Sequence, residues 1–264
     1  MHEEILLKTT IEVHHIRKLS RFFHELFPIL SRVIKPGAEA AEVIELCAKE
    51  MEKHRVQSAL LGFEGYPSPV CISVNNIAAH GIVKDYRFRE GDVVTVDCAV
   101  SQDGWYSDSA WTYIAGEGNE STRRLVKAAW QASLSGVEKA TAGNRVGDVG
   151  HAVEEKASSL GCSVLREFVG HGIGYKVHEG PNIPHFGSPA TGRPIVPGMV
   201  FTVEPIVTLE DTAIKTMQDG WTVVTEGSVP AAQFEHTVAV FSAHTEILTL
   251  AEEYRGSYPE KPPF

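Results

Sequence analysis

The sequence predicts an α+β fold assembled from two related halves, and three observations point to it. Four stretches carry apolar residues at spacings of three and four, as helices with one buried face do. Between them lie runs of β-branched residues bounded by Gly, Pro and Asp, which read as strands. A heptapeptide also recurs: Gly91-Asp92-Val93-Val94-Thr95-Val96-Asp97 matches Gly198-Met199-Val200-Phe201-Thr202-Val203-Glu204 in the pattern G-x-V-[VF]-T-V-[DE]. Two further echoes keep the same order. Gly37 stands before Val43 as Gly143 stands before Val149, and His80-Gly81-Ile82 is matched by His171-Gly172-Ile173. The expected organisation is one domain over residues 1–264, with repeat halves at about 36–115 and 142–250.

Residues 10–34 form the first helical stretch, with Ile16, Leu19, Phe23, Leu26 and Leu30 on one face. Pro28 is expected to kink or break it, because proline removes a helical N–H and clashes with the preceding turn. His14, His15 and His24 read as a solvated face. Residues 38–54 form a second helix with a stripe of Val43, Leu46, Cys47 and Met51. Residues 57–83 are rich in Gly and Pro, with a strand-like VCISVNN, and end at His80-Gly81-Ile82.

Residues 93–101 read as a strand and 105–114 as its return. Asp103-Gly104 between them is a strong type I′ turn signal, since both central positions need positive φ. Ser121 is the expected cap of a third helix reaching about Thr141, and residues 146–160 form a fourth that stops at Gly161. Strands are expected over 162–168, 199–204, 221–225 and 233–241, the last with Glu235 on a face with Thr237 and Ala239. The tail from Tyr254 to Phe264 contains three prolines and reads as loose.

The net charge of −10 argues against a broad basic surface for nucleic acid. Cys47, Cys71, Cys98 and Cys162 are scattered with no C-x-x-C pair, which suits a reducing compartment and excludes a cysteine-based zinc site. No apolar run is long enough for a membrane span, and the N-terminus lacks a secretory pattern. The glycines of Gly170-His171-Gly172-Ile173-Gly174 do not fit a dinucleotide loop and instead suggest backbone in tight quarters beside a site.

The chemistry begins with Asp97 and Asp108. A two-residue turn places Asp108 opposite Ala99, on the face that carries Asp97. The two acids then lie about 7–8 Å apart at Cα, as diagonal neighbours. A three-residue loop would put them on opposite faces. Asp97 also interrupts an apolar run, and a buried carboxylate needs a metal, a cationic partner or a proton. The repeat adds Glu204 as the counterpart of Asp97, and Glu235 and His171 complete an oxygen-rich set with one nitrogen donor.

At this point the chain resembles the type I methionine aminopeptidases of the pita-bread peptidase fold. The motifs are SVNNIAAHGI with His80, TVDCAVSQDGWYSD with Asp97 and Asp108, GHGIGYKVHEGP with His171 and His178, GMVFTVEPIV with Glu204, and TMQDGWTVVTEGSVPAAQFEHT with Trp221 and Glu235. The resemblance implies two pseudo-symmetric halves whose antiparallel sheet is covered by helices on its outer face. It implies two divalent ions on Asp97, Asp108, His171, Glu204 and Glu235, with Asp108 and Glu235 bridging. Four carboxylates and one His favour ions such as Co²⁺, Mn²⁺ or Fe²⁺. Glu204 would shuttle a proton, while His80 and His178 would donate hydrogen bonds to the substrate. Phe63, Tyr66, Cys71, Val177 and Trp221 would line a pocket for methionine. The expected activity removes the initiator methionine from nascent chains at the ribosome when the second residue is small. A cytoplasmic monomer that binds neither nucleic acid nor membrane is expected.

Departures from the family pattern fall on the pocket. Val177 stands where Phe is usual, Phe63 where Tyr is common and Leu60 where Cys is frequent. Xaa-Pro peptidases share the metal set but usually carry a large extra N-terminal domain. The type II methionine enzymes insert a helical region between the positions of His171 and Glu204, where this chain is short. A non-catalytic binding protein on this fold would lose ligands, and here all five ligand types stand in place.

Overall fold

Thr9 begins the first helix. Its hydroxyl accepts the N–H of Glu12, and the Glu12 carboxylate accepts the N–H of Thr9, so two otherwise unpaired donors are satisfied. α1 (Thr10–Val33) then runs unbroken through Pro28, against the sequence expectation. Phe22, Phe23, Leu26 and Phe27 before the proline and Leu30 after it are all buried, and that packing outweighs the roughly 3 kcal/mol that proline costs a helix interior. The computed structural model describes residues 4–251, Tyr254 and Pro262; the tail expected to be loose over 254–264 otherwise lies outside the described residues.

α2 (Ala40–His54) starts two residues later than the periodicity suggests. α3 (Glu120–Lys139) is capped by Asn119, whose side chain accepts the N–H of Thr122, so the cap lies two residues before Ser121. Asn119 is extended, which frees its side chain to reach back to the first turn. α4 (Val146–Ser159) ends at Leu160, and Gly161 takes a left-handed φ of +67°. Of residues 162–168, only Ser163–Val164 pairs as a strand.

The hairpin follows its predicted register. Val93–Gln102 pairs with Trp105–Ile114, Gln102 faces Trp105, and Ala99 faces Asp108. Asp103 and Gly104 both have positive φ, +53° and +81°, as the two-residue turn requires. Cys71–Val74 pairs on the other side of Val93–Gln102 and sets Cys71 opposite Asp97.

The duplication recurs in the hydrogen bonds. Gly37 donates to Phe88 O at 2.8 Å and Gly143 to Ile195 O at 3.1 Å, both with φ above +90°. Ala40 donates to Tyr86 O and Val146 to Arg193 O, so α2 and α4 leave equivalent junctions. Pairing between the described strands is antiparallel throughout, and the second half carries a five-stranded sheet running Thr245–Ile247, His236–Val240, Val200–Val203, Val169–Gly172 and Glu179–Pro184. One large apolar core joins the halves. Trp111 of the hairpin lies 5.1 Å from Phe27 of α1, 5.3 Å from Trp130 of α3 and 5.6 Å from Phe234, ring centre to ring centre.

The strand expected over 233–241 is two strands, Ala231–Gln233 and His236–Val240, in different sheets. The strand that carries Glu204 is divided in the same way, into Val200–Val203 and Ile206–Thr208. The register is continuous across both gaps: Val203 pairs with His236 and Ile206 with Gln233. Glu204 and Glu235 therefore face each other where the ladder is interrupted. Pro205 has no N–H to offer there, which is one reason the pairing fails.

The hairpin turn yields a stability prediction. A Cβ at Gly104 would meet nothing within 4 Å, so Gly104→Ala introduces backbone strain without a clash. It should cost about 1 kcal/mol, read as a lower urea midpoint with an unchanged slope.

Candidate active site

The seam between the halves delivers the carboxylates. Glu235 N–H donates to Ala110 O at 2.9 Å, and Ser109 Oγ donates to Glu235 O at 2.7 Å. Thr237 Oγ donates to Asp108 O, and Thr112 Oγ donates to Gln233 O. The Trp105–Ile114 strand is thus stitched to residues 233–237, and Asp108 and Glu235 are carried to the same place. His171 arrives on Val169–Gly172, with its N–H donated to Thr202 Oγ.

Asp97, Asp108, His171, Glu204 and Glu235 all line one cavity of about 790 Å³. One ligand atom from each of Asp108, His171 and Glu235 lies within 4.8 Å of the others. His171 Nε2 stands 4.0 Å from Asp108 Oδ2 and 3.5 Å from Glu204 Oε1. His171 Nδ1 lies 3.0 Å from Gly172 O; a carbonyl only accepts, so Nδ1 carries the proton and Nε2 turns its lone pair toward the acids.

Facing lone pairs and carboxylates need a cation or protons between them. Asp108 Oδ1 and Glu235 Oε1 are buried without any hydrogen-bond partner. Burial, followed by the neighbouring acids, holds both carboxyls well above the ordinary carboxylate range. Burial lifts Asp97 to about 7 and Glu204 to about 8, the latter opposed by a 2.5 Å hydrogen bond from Thr202 Oγ. Burial, and then His178, pushes His171 down to about 3, so it is neutral and free to ligate. These residues fit a divalent cation: unprotonated nitrogen, orphaned carboxylate oxygens and surplus negative charge converge on one point.

The upper walls hold the predicted pocket. Leu60, Phe63, Tyr66, Cys71, Phe168 and Trp221 line it. Tyr66 OH is tied to Gly81 O at 2.8 Å, and its ring meets Trp221 edge-on at 5.2 Å. His80 adopts φ +54° and lies between Phe168 and Trp221. The His178 ring meets Phe63 at 5.4 Å and His171 at 4.4 Å. Burial lowers the proton affinity of both His80 and His178.

Val177 is a correction. It is buried but does not line the cavity. Sequence reasoning missed Phe168, Thr202 and His185. Thr202 had a signal, since it sits in the repeated heptapeptide beside its half's acid. His185 had none; it is fully buried, and its Nε2 accepts the Glu204 N–H at 3.0 Å, fixing the backbone of that acid.

The model of metallopeptidase family M24 matches residues 14–241. A methionine aminopeptidase of Clostridium perfringens is 37% identical over 93% of this chain and 99% of its own length. The solved methionine aminopeptidase of Thermotoga maritima superposes with a TM-score of 0.91 at 36% identity, covering 94% of this chain and all of that one. The chain belongs to metallopeptidase family M24, and within it to the methionine aminopeptidases. A prolidase of Pyrococcus furiosus, at 22% identity and a TM-score of 0.71, shares the fold alone.

The raised carboxyl groups give a pH prediction. Asp97 and Glu204 bind protons more tightly folded than unfolded, so their contribution to stability is present below about pH 4 and is lost as pH rises through about 7 and 8. Buried His171, His185 and His236, held near 3, act in the opposite sense only below their unfolded value of 6.5. Between pH 7 and 8.5 these histidines no longer contribute, and the raised carboxyls and buried thiols act in the same sense, so calorimetry in excess chelator should show Tm falling as pH rises. A divalent ion should reverse that trend and release protons into a weakly buffered solution at pH 7.

Proposed function

We propose that this protein removes N-terminal methionine from peptides whose second residue is small, as a type I methionine aminopeptidase with two divalent ions. The carrying observation is a neutral His171 and four acids, Asp108 and Glu235 buried and Asp97 and Glu204 partly so, that share one cavity with a set of apolar side chains. Asp97, Asp108, His171, Glu204 and Glu235 would hold the ions. Co²⁺, Mn²⁺ and Fe²⁺ suit this oxygen-rich set better than thiolate-loving ions. When bound, such ions supply Lewis-acid polarisation of the scissile carbonyl and acidify water toward neutrality.

The protein's own groups do the rest. A carboxyl lifted toward neutrality, as Glu204 is, can take a proton and give it to the leaving amine. Thr202 Oγ holds one Glu204 oxygen while the Glu204 N–H is held by His185, so the shuttle is fixed at both ends. His178 and His80 face the cavity and can donate hydrogen bonds to a peptide carbonyl and to developing negative charge. Phe63, Tyr66, Cys71 and Trp221, with Leu60 and Phe168, would exclude water around the methionine side chain. The partners are nascent chain N-termini at the ribosome, met by a cytoplasmic monomer; among the described residues no helix is long and apolar enough to cross a membrane, which is compatible with this reading.

Free methionine released from Met-Ala-Ser, at a kcat/KM well above that for Met-Lys-Ser, is the expected outcome. Excess chelator should abolish the release and Mn²⁺ or Co²⁺ restore it. Asp108→Ala should lose more than the roughly 10–100-fold that partner residues around a metal site cost. His151→Ala, on the partly exposed face of α4, should lose nothing.

Val177→Phe should leave the ratio of rates on Met-Ala-Ser and norleucine-Ala-Ser unchanged, because Val177 does not line the cavity. Overpacking its buried site should instead cost about 1–3 kcal/mol of stability, seen as a lower Tm.

A further inference from the structure

The loop that carries His178 is held by a buried ion pair. Lys8 and Glu179 pair with side chains only 1% and 2% exposed. The Arg17–Glu246 pair, which also ties α1's end of the chain to the second half, is left 19% and 8% exposed. Glu179 follows His178 directly and spends its other oxygen locally: Oε1 accepts the N–H of Tyr175 at 2.6 Å and of Lys176 at 3.0 Å. One carboxylate therefore fixes the backbone of residues 175–176 on one side and Lys8 on the other.

Lys8 is itself immobilised. Its N–H donates to Gly198 O at 2.7 Å, and its ammonium also donates to Leu6 O at 2.8 Å. Ile5 bridges Gly180 in parallel, so the N-terminal segment runs alongside the start of Glu179–Pro184. Glu4 and Leu6 of that segment line the cavity. Gly174 lies against the aliphatic stem of Lys8, where a Cβ would collide with it. The far end of the loop is pinned to the hairpin, because Tyr106 N–H donates to Gly174 O at 2.9 Å.

The His178 ring meets Phe63 and His171 edge-on, and such contacts do not fix where a ring N–H points. Its aim is set by the backbone that bears it. We propose that Lys8 is a positioning residue for His178, acting through Glu179 to clamp the loop of residues 174–178 against the N-terminal wall of the cavity. Two charges removed from water are weak support for stability alone, because desolvation offsets most of their attraction. What this pair supplies is direction: a fixed distance between Lys8 and the two N–H groups just before His178. The kinetic part of the proposal rests on the aminopeptidase reading, since His178 needs a substrate to aim at.

The test compares Lys8→Met, Glu179→Gln and Arg17→Met in the full chain, alone and with His178→Ala. Glu179→Gln keeps the size and an oxygen acceptor, so it reports on the ion pair even if Lys8→Met does not fold. Displacement of a donor by an ångström or less costs about tenfold to a hundredfold. Lys8→Met and Glu179→Gln should therefore lower kcat by that factor with little change in KM. Neither should lower it further once His178 is Ala, and Arg17→Met should lower Tm but not kcat. Hydrogen exchange of the metal-free protein should show faster exchange at Tyr175 and Lys176 in both pair variants. Equal losses with and without His178, or unchanged kcat and unchanged exchange, would overturn the clamp. A parent protein that releases no methionine would count against the proposed activity, while exchange at Tyr175 and Lys176 would still decide the clamp.

Discussion

The structure depends on keeping four carboxyl groups together in a place that water scarcely reaches. Burial raises the proton affinity of each, and neighbouring acids raise it further for Asp108, Glu204 and Glu235, so Asp97, Asp108, Glu204 and Glu235 all depart upward from the ordinary range. Nothing about that cluster is self-assembling. Without a proton or a cation the acids repel each other, and the rest of the fold has to hold them against that repulsion.

Two features do the holding. The apolar core runs from α1 through the hairpin to α3 and the second half, with Trp111 in contact with rings from three different segments. The seam then converts this general cohesion into a definite geometry. Ser109, Thr112 and Thr237 are buried hydroxyls that bond to main-chain groups across it, and each sits close in sequence to an acid or its partner strand. A buried hydroxyl with a satisfied partner is directional in a way that an apolar contact is not. The acids can be crowded because their backbones are pinned.

Much of this was readable in the residues. The hairpin register followed from Asp103-Gly104 and proved correct in every pair, so the common face of Asp97 and Asp108 was available from local chemistry. The duplication was visible in one heptapeptide and two echoes, and the equivalent junctions at Gly37 and Gly143 are its structural form. Helix existence was clear and helix starts were not, because Asn119 and Ser121 are both good caps and only tertiary placement chooses between them. The break at Glu204-Pro205 could be suspected from the proline, but the matching break before His236 could not. The seam bonds that replace the ladder there involve residues more than a hundred positions apart. Val177 was misplaced for a similar reason: nearness in sequence to His178 does not put a residue on the cavity wall. His185 left no trace in the pattern, since a lone buried histidine has no periodicity to betray it.

The interrupted ladder has a consequence for how the site assembles. At the gap, the groups that a continuous sheet would pair internally are answered from elsewhere: Glu204 N–H by His185, Glu204 O by the Gln233 side chain, Glu235 N–H by Ala110 and Glu235 O by Ser109. These four bonds draw on the hairpin, on the strand that follows His178 and on the adjoining sheet at once. A slip of one residue in any of those elements would break several of them together, leaving main-chain groups stranded in a dry interior. The geometry of the centre therefore depends on all of these elements being in register together.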